Sequence, residues 1–276
     1  MRYKILIIGK HSFVANNLSA LLKKKFIIKK INFDDFSKKD ENYLNKYRYL
    51  INCSINRKYI LKKYNQRYDF DYLISKKIED LKCKFILLST RKVYSKGNNI
   101  KENSTLNPKC NYSRNKLITE NKLKNILTNK LLILRISNII GIDQIKDKKR
   151  KIHKTFIDYF FLNIKKGLLI NNKEIYKDFL STKQFAIIIE KLIKINAYGT
   201  YNVSLGKKVF LDNLIKNLNF YNKKKFKTIN PQLHYNNDCF YLNNDKLSKK
   251  INIKLKLKDL QMDCKEISKI YFNNEK

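Results

Sequence analysis

Short apolar runs alternate with longer amphipathic stretches through the first half of this 276-residue chain, and that rhythm limits the possible folds most strongly. The runs are short enough for buried strands, and the stretches between them are long enough for helices. The predicted strands are Ile5–Ile8, Phe26–Ile31, Tyr49–Cys53, Phe85–Leu88 and Leu131–Ile136, and the predicted helices lie near 13–24, 68–81 and 110–127. This order predicts an α/β fold with a doubly wound parallel sheet, Rossmann-like in its arrangement.

The rhythm breaks after Gly141. The following residues predict a helix over 155–166, a strand over 175–180, a helix over 183–195, an apolar helix over 210–218 and a polar carboxyl-terminal region. We therefore predict a main domain of residues 1–141, to which residues 174–195 return. Residues 142–173 and 196–276 would form a smaller, interwoven lobe that covers a ligand.

The chain carries a formal charge of +38, with 61 basic and 23 acidic residues. Such a charge ordinarily suggests nucleic acid or an anionic membrane surface as a partner. Here the basic residues are spread along the whole chain, and the abundance of Lys, Asn and Ile is typical of AT-biased codon usage. The densest cluster, Lys146–Lys154, could meet a phosphorylated ligand. We predict no specific nucleic-acid partner.

The amino terminus and the cysteines exclude further classes. Four consecutive apolar residues before Gly9 are too few for a signal-peptide core or a membrane span, so we predict a cytoplasmic protein. The five cysteines have no close paired spacing, which predicts neither a disulfide framework nor a zinc site. We expect no metal.

A single glycine, Gly9, stands where the first strand turns into the first helix. Backbone N–H groups and the helix dipole at such a turn attract a pyrophosphate. The three-glycine fingerprint is incomplete, because Ser12 stands at the second position and Ala15 at the third. The Ser12 β-carbon could restrict the approach of a dinucleotide, or its hydroxyl could donate to a phosphate. The predicted cofactor contacts are Gly9, Lys10, His11, Ser12, Phe13 and Val14.

Asp34 and Asp35 follow the second strand, near the usual position of an acidic residue that binds a ribose hydroxyl. Lys10 and His11 could instead accommodate a 2′-phosphate. Either NAD or NADP is therefore consistent with the sequence, and reductive chemistry favours NADP. We add Asp34 to the predicted cofactor contacts.

Tyr112 and Lys116 lie one helical turn apart and suggest a site for hydride transfer. Four Tyr-x-x-x-Lys matches occur in the chain, so the pair alone proves little. Only this pair follows a strand ending in Ser89-Thr90, comes 22 residues after Thr90 and precedes another apolar run. A nearby ammonium and a nicotinamide cation both favour the phenolate, which moves a pKa of about 10 toward neutrality.

The ordered motifs resemble the extended short-chain dehydrogenase/reductase superfamily, in its sugar-nucleotide epimerase, dehydratase and reductase branch. They are IIGKHSFVANNL, LINCS, LLSTRKVY, YSRNK, LRISNIIG, KDFLSTKQFA, GTYNVSLG and FYLNNDKL. The resemblance implies that Thr90 hydrogen-bonds the substrate oxygen and Tyr112 exchanges a proton with it. It also implies that Lys116 lowers the phenol pKa and holds the cofactor ribose, so Tyr112 and Lys116 are predicted cofactor contacts as well as catalytic residues.

The resemblance also implies a nucleotide-sugar substrate, with Thr90, Arg91, Asn138 and Lys177 in its pocket. Dehydratases of this branch carry an acidic pair after the active-site Thr, where this chain has Arg91-Lys92, which argues against dehydration. Reduction of a keto sugar and epimerisation remain, in surface-polysaccharide precursor synthesis and with a homodimer as one option. A catalytically idle dinucleotide sensor or scaffold, and less strongly a nucleic-acid-binding protein, are the alternatives.

Overall fold

The computed structural model describes residues 2–142, 156–170, 174–223, 227–229 and 239–273. A six-stranded parallel sheet forms its centre, in the order β10-β5-β4-β3-β1-β2. Its strands are β1 (Lys4–Ile8), β2 (Ile27–Ile31), β3 (Tyr49–Asn52), β4 (Lys84–Thr90), β5 (Leu131–Ile136) and β10 (Gly199–Val203). The predicted doubly wound α/β fold is confirmed.

Both faces of the sheet are covered, which explains why its central strands are continuous apolar runs. Alternate residues of β1 enter two separate cores: Ile5 and Ile7 join one, and Leu6 and Ile8 join the other. The first core contains helices α1 (Phe13–Leu22) and α8 (Thr182–Lys194), which pack against each other. The second contains α5 (Phe70–Lys77) and α6 (Asn111–Leu127).

Short helices and 3-10 turns lie between the strands of the sheet. They are α2 (Phe33–Ser37), α3 (Glu41–Leu44) and α4 (Arg57–Leu61), with 3-10 turns at Gln66–Tyr68, Arg91–Val93 and Thr128–Lys130. The turn at Arg91–Val93 begins directly after β4, where the Thr90 hydroxyl accepts a hydrogen bond from the Lys92 N–H. That capping interaction fixes the position of Thr90 at the strand end.

The sixth strand does not come from residues 174–195, the segment predicted to return to the main domain. That segment supplies α8, and the strand is β10, which the sequence analysis assigned to the lobe. β10 pairs with β5 in parallel register, with Tyr201 opposite Leu134 and Val203 opposite Ile136. The buried side chains of Tyr201 and Val203 extend the first core, so packing favours strand here.

The rest of the second half forms small strand pairs and helices. Three pairs are β6 (Asn138–Ile140) with β9 (Phe179–Ser181), β8 (Tyr176–Lys177) with β11 (Val209–Phe210), and β7 (Leu168–Ile170) with β12 (Lys227–Ile229). The helices are α7 (Phe156–Lys165), α9 (Leu211–Leu218), α10 (Asp245–Ile251) and α11 (Leu257–Asn273). The basic cluster 146–154 lies outside the described residues. Across the parts of the chain that are described, no helix has the length and apolar character to cross a membrane.

Candidate active site

The turn after β1 has room only for glycine at position 9. Gly9 has a φ of +111°, and a β-carbon there would lie 2.8 Å from the Cys53 carbonyl carbon and from the Ser54 nitrogen. The N–H groups of Gly9 and Lys10 donate to the Ile31 carbonyl at 2.8 and 3.2 Å. These two amides therefore tie the turn to β2, and the first-turn amides of α1 remain the N–H groups that can face a phosphate.

The missing second glycine has a structural explanation. Ser12 is the N-cap of α1 with a φ of −71° and a ψ of 137°, an extended conformation that any residue adopts. Its N–H donates to the Gly9 carbonyl at 2.8 Å. The backbone therefore does not require glycine at position 12. Phe13 is buried and Val14 packs partly against the first core, while Lys10 and His11 are exposed.

Asp34 lies in the first turn of α2 and is exposed, as is Asp35. Asn32, the N-cap of α2, is half-buried and comes directly after β2, closer to the strand end than either carboxylate. Nearby, the Lys30 ammonium donates to the Asn16 side-chain oxygen at 2.7 Å. The strand end therefore presents an amide and an ammonium, and Asp34 stands one turn beyond them.

Thr90 and Tyr112 come together at the carboxyl end of β4. The Thr90 side chain interacts with the Tyr112 phenol and lowers its pKa, which favours the ionised phenol. Tyr112 stands in the first turn of α6, and Lys116 follows one turn later on the same helix, buried. The spacing that the sequence offered therefore brings all three predicted side chains into one place.

Lys116 also has a partner that the sequence analysis missed. Its ammonium donates to Asp71 Oδ2 at 2.7 Å, and both side chains are almost fully buried. Asp71 Oδ1 accepts a hydrogen bond from Asn52 Nδ2 at 2.7 Å. Asn52 ends β3, one residue before the Cys53 carbonyl that packs against Gly9. This series of contacts connects the lysine to the glycine turn.

The pKa of Tyr112 is raised above its usual value. Burial is the largest cause; Lys116 lowers the pKa, as predicted, but Asp71 raises it. The predicted shift toward neutrality is therefore not found in the protein without its cofactor. The pKa of Lys116 is raised as well, because Asp71 and the Tyr112 phenol oppose the effect of burial, so the ammonium stays charged.

The predicted substrate residues lie on three different elements. Asn138 opens β6, and its amide donates to the Asp178 carbonyl at 3.0 Å. Lys177 lies in β8, opposite Val209. The Arg91 guanidinium carbon stacks 3.5 Å from the centre of the Phe240 ring, so this residue joins the end of β4 to the carboxyl-terminal part of the chain.

A second buried ion pair supports the helix that carries Tyr112. Glu120, one turn beyond Lys116, is fully buried and accepts three hydrogen bonds from the Arg135 guanidinium. Glu120 also accepts a hydrogen bond from the Ser89 hydroxyl at 2.5 Å. Arg135 completes its contacts with the Tyr94 hydroxyl at 2.9 Å. Arg135 therefore holds α6 against β4 and β5 from inside the protein.

These donors fit a nicotinamide dinucleotide. The glycine turn leads directly into the amino terminus of a ten-residue helix, which suits a pyrophosphate. Asn16, almost fully buried in the same helix, has a side-chain N–H₂ that makes no hydrogen bond within the described residues. Tyr112 and Lys116 would hold the nicotinamide ribose at the end of β4.

Comparison with known proteins agrees with this arrangement. The NAD dependent epimerase/dehydratase family matches residues 75–204. Among curated proteins, no sequence matches the chain. Solved structures resemble it over nearly its full length, although at identities that establish the fold alone.

Three of these structures represent three reactions. A UDP-N-acetylglucosamine 4-epimerase from Methanobrevibacter ruminantium M1, in complex with UDP-N-acetylmuramic acid, is 18% identical, with a TM-score of 0.77 and 99% of each chain covered. A dTDP-4-dehydrorhamnose reductase from Bacillus anthracis, in complex with NADP, is 14% identical, with a TM-score of 0.72 and 97% of this chain and 99% of that chain covered. A dTDP-glucose 4,6-dehydratase from the same organism, in complex with NAD, is 16% identical, with a TM-score of 0.73 and coverages of 99% and 97%.

The parallel sheet and its glycine turn define a Rossmann-like α/β protein. The family match confirms the more specific resemblance, to the extended branch that contains sugar-nucleotide epimerases, dehydratases and reductases.

Proposed function

We propose that this protein is an NAD(P)-dependent enzyme that reduces or epimerises a nucleotide-activated keto sugar. The observation that carries the proposal is that Thr90, Tyr112 and the buried Lys116 ammonium come together at the carboxyl end of β4, where Thr90 and Lys116 both lower the pKa of the phenol. In open α/β sheets, ligands bind outside the carboxyl ends of the strands. A substrate carbonyl placed there would meet two hydroxyl groups at once.

The three side chains have separate tasks. When bound, the nicotinamide supplies or accepts a hydride at the reacting carbon. Thr90 donates a hydrogen bond to the substrate oxygen and orients it. Tyr112 gives its phenolic proton to that oxygen during reduction and takes a proton back in the reverse direction. Lys116 holds the nicotinamide ribose and keeps a positive charge beside the phenol, which favours proton release.

The substrate class rests on residues around this centre. Arg91, stacked on Phe240, and Lys177 bring positive charge to the pocket and suit a diphosphate. Asn138 stands at the end of β5 and suits a sugar hydroxyl. Two of the similar structures are named as enzymes of nucleotide sugars with epimerase or reductase activity, which supports the same class. Arg91 and Lys92 replace the acidic pair that elimination of water would need.

The cofactor is NADP or NAD, and we favour NADP. Exposed Lys10 and His11, with Lys30 at the end of β2, offer positive charge where a 2′-phosphate would lie. Asp34 would instead bind the free 2′-hydroxyl of the NAD ribose. The protein would work in the cytoplasm, in surface-polysaccharide precursor synthesis, and a homodimer is compatible with this role.

A cofactor and substrate panel tests the proposal. Purified protein is incubated with each nicotinamide cofactor, and thermal stabilisation and co-purification are measured. It is then assayed with keto sugar nucleotides. Consumption of NADPH supports a reductase, and interconversion without added cofactor supports an epimerase.

Three outcomes would contradict the enzyme assignment. Binding of cofactor without turnover over a broad substrate panel would favour the idle sensor or scaffold. Tight polynucleotide binding that survives physiological salt would favour a nucleic-acid-binding protein, because diffuse phosphate contacts weaken steeply as salt rises. Failure to bind either cofactor would exclude both dinucleotide functions.

A further inference from the structure

We propose that Asp71 is a positioning residue that holds Lys116 and keeps Tyr112 in its protonated form, so that the site is set for carbonyl reduction. This inference rests on the proposed function, and of its two reactions, reduction and epimerisation, it favours reduction. It starts from a buried ion pair that joins α5 to α6.

Asp71 is fixed by contacts on both of its oxygens. The Lys116 ammonium donates a hydrogen bond to Oδ2, and the Asn52 side-chain N–H₂ donates one to Oδ1, each at 2.7 Å. Asn52 is held in turn, because its side-chain oxygen accepts hydrogen bonds from the Ser54 N–H at 2.9 Å and the Ser54 hydroxyl at 2.6 Å. A carboxylate restrained on both sides gives Lys116 one preferred position.

The neighbouring charged and titratable groups do not replace this role. Asp69 is turned toward other partners, since Oδ2 accepts from the Thr119 and Tyr64 hydroxyls at 2.6 and 3.0 Å. The Tyr59 ring lies 5.8 Å from the Lys116 ammonium. Two thiols, Cys53 and Cys110, also act on these groups. Among the groups that the structure describes here, Asp71 is the carboxylate in direct contact with the lysine.

The pair changes what Lys116 does to the phenol. An isolated ammonium stabilises a nearby phenolate, but the Asp71 carboxylate, 2.7 Å from that ammonium, opposes this effect and raises the pKa of Tyr112. Burial then dominates and disfavours the charged phenolate. Tyr112 therefore stays protonated through neutral pH until a cofactor or substrate changes its surroundings.

A protonated phenol matches one direction of the reaction. In reduction, hydride adds to the carbonyl carbon, and the carbonyl oxygen takes the Tyr112 proton to become a hydroxyl. The phenolate that remains recovers its proton from solvent, so atoms and charge balance, with NAD(P)H as the reductant. A 4-epimerase must first remove a hydroxyl proton, which requires Tyr112 to begin as the phenolate. Asp71 opposes that starting state.

The test measures ionisation of Tyr112 directly, in protein without cofactor. Tyrosines are labelled with ¹³C at the ring ζ carbon, and the Tyr112 resonance is the one missing from Tyr112→Phe. In the wild-type protein the resonance should remain that of a phenol at pH 10. In Asp71→Asn its midpoint should fall by about one to two pH units relative to wild type, because the opposing carboxylate is gone.

Two matched variants control the measurement. Asp71→Glu retains the charge and should keep the midpoint within about 0.5 pH units of wild type. Asp80→Asn removes the same charge from the exposed surface and should leave the midpoint unchanged, since water and salt screen it. Thermal unfolding checks that each variant is folded. If Asp71→Asn does not fold, Asp71→Ser leaves space for water beside Lys116 and carries the same expectation.

An unchanged or raised midpoint in the folded Asp71→Asn or Asp71→Ser protein would overturn the inference. This readout needs neither cofactor nor turnover, so it is separate from the cofactor and substrate panel. A lowered midpoint together with absent turnover would contradict the proposed function while leaving the electrostatic role of Asp71 intact. Turnover together with an unchanged midpoint would support the proposed function and contradict the electrostatic role of Asp71.

Discussion

At the scale of single residues, the cofactor turn depends on the absence of a side chain. The backbone of Cys53 and Ser54 packs where a β-carbon of Gly9 would lie, and the positive φ adds conformational strain for any other residue. The same crowding brings the end of β3 close to the turn, and Asn52 on that strand holds the Asp71–Lys116 pair. Gly9 thus links the turn that we propose for the cofactor to the placement of Lys116.

Gly9→Ala should destabilise the protein by about 2–5 kcal/mol, the sum of left-handed strain and overpacking. It should also abolish stabilisation by either cofactor. Gly199→Ala is the matched control, because Gly199 has a φ of +91° with nothing within 4 Å of an added β-carbon. This control should cost only about 1–2 kcal/mol and keep cofactor binding. Urea unfolding and thermal shifts measure both effects, and equal losses would contradict the packing argument.

Sequence spacing predicted the meeting of Thr90, Tyr112 and Lys116 because a strand end and one helical turn fix their geometry locally. Asp71 could not be found in this way, since it reaches Lys116 across 45 residues and lies on a different helix. The sequence nevertheless contained a signal for a buried acidic residue near the site. Asp69 and Asp71 begin that helix in a chain rich in lysine, and buried carboxylates need partners.

At the scale of secondary-structure elements, α6 is held to the sheet by the Glu120–Arg135 pair. Arg135 on β5 and Ser89 on β4 both reach Glu120, so one carboxylate anchors the helix that carries Tyr112 and Lys116 to two strands. The pair is buried, and loss of one member would leave an uncompensated charge in the interior.

Glu120→Gln should therefore destabilise the protein by about 3–5 kcal/mol. Glu190→Gln is the control, because it breaks a helical i,i+4 pair whose Lys194 partner is largely exposed. That change should cost about 0.5 kcal/mol or less. Chemical denaturation of the two variants gives the comparison. A loss below about 1 kcal/mol in Glu120→Gln would mean that the pair is not the anchor.

Element prediction succeeded where apolar runs are continuous and failed where tertiary packing decides. β5 was predicted at its observed bounds, because five of its six residues are apolar. The sixth, Arg135, is buried in an ion pair with Glu120. β10 was assigned to the lobe, since its Gly-Thr-Tyr-Asn-Val sequence lacks an apolar run. Helix α11 was missed within a polar region because mostly polar and charged residues separate its buried positions, Leu260, Cys264 and Ile267.

At the scale of the whole molecule, Asp178 joins the sheet domain to the carboxyl-terminal segments. Its fully buried carboxylate accepts hydrogen bonds from the N–H groups of Leu205, Gly206 and Leu242. Leu205 and Gly206 follow β10, and Leu242 precedes α10. Burial nevertheless raises the pKa of Asp178 to about 7, against the effect of these backbone N–H groups.

A raised carboxyl pKa in the folded state means that the folded protein binds more protons than the unfolded chain between about pH 4 and 7. The stability contributed by Asp178 is therefore present at low pH and lost as pH rises through about 7. Between pH 5 and 8 the wild type should lose about 2–3 kcal/mol more than Asp178→Asn. Urea unfolding at the two pH values measures this difference. Equal losses in the two proteins would contradict it.

Transfer of deuterium tests the central claim most directly, that Tyr112 protonates a substrate carbonyl reduced by a nicotinamide. NADPH carrying deuterium at the transferable position is mixed with a keto sugar nucleotide, and the product is analysed by mass spectrometry. Wild type and Tyr72→Phe, a variant of another Tyr-x-x-x-Lys match, should place deuterium on the sugar. Tyr112→Phe should bind the cofactor but transfer at least about 100-fold more slowly. Transfer at the wild-type rate by a folded Tyr112→Phe protein would contradict the account.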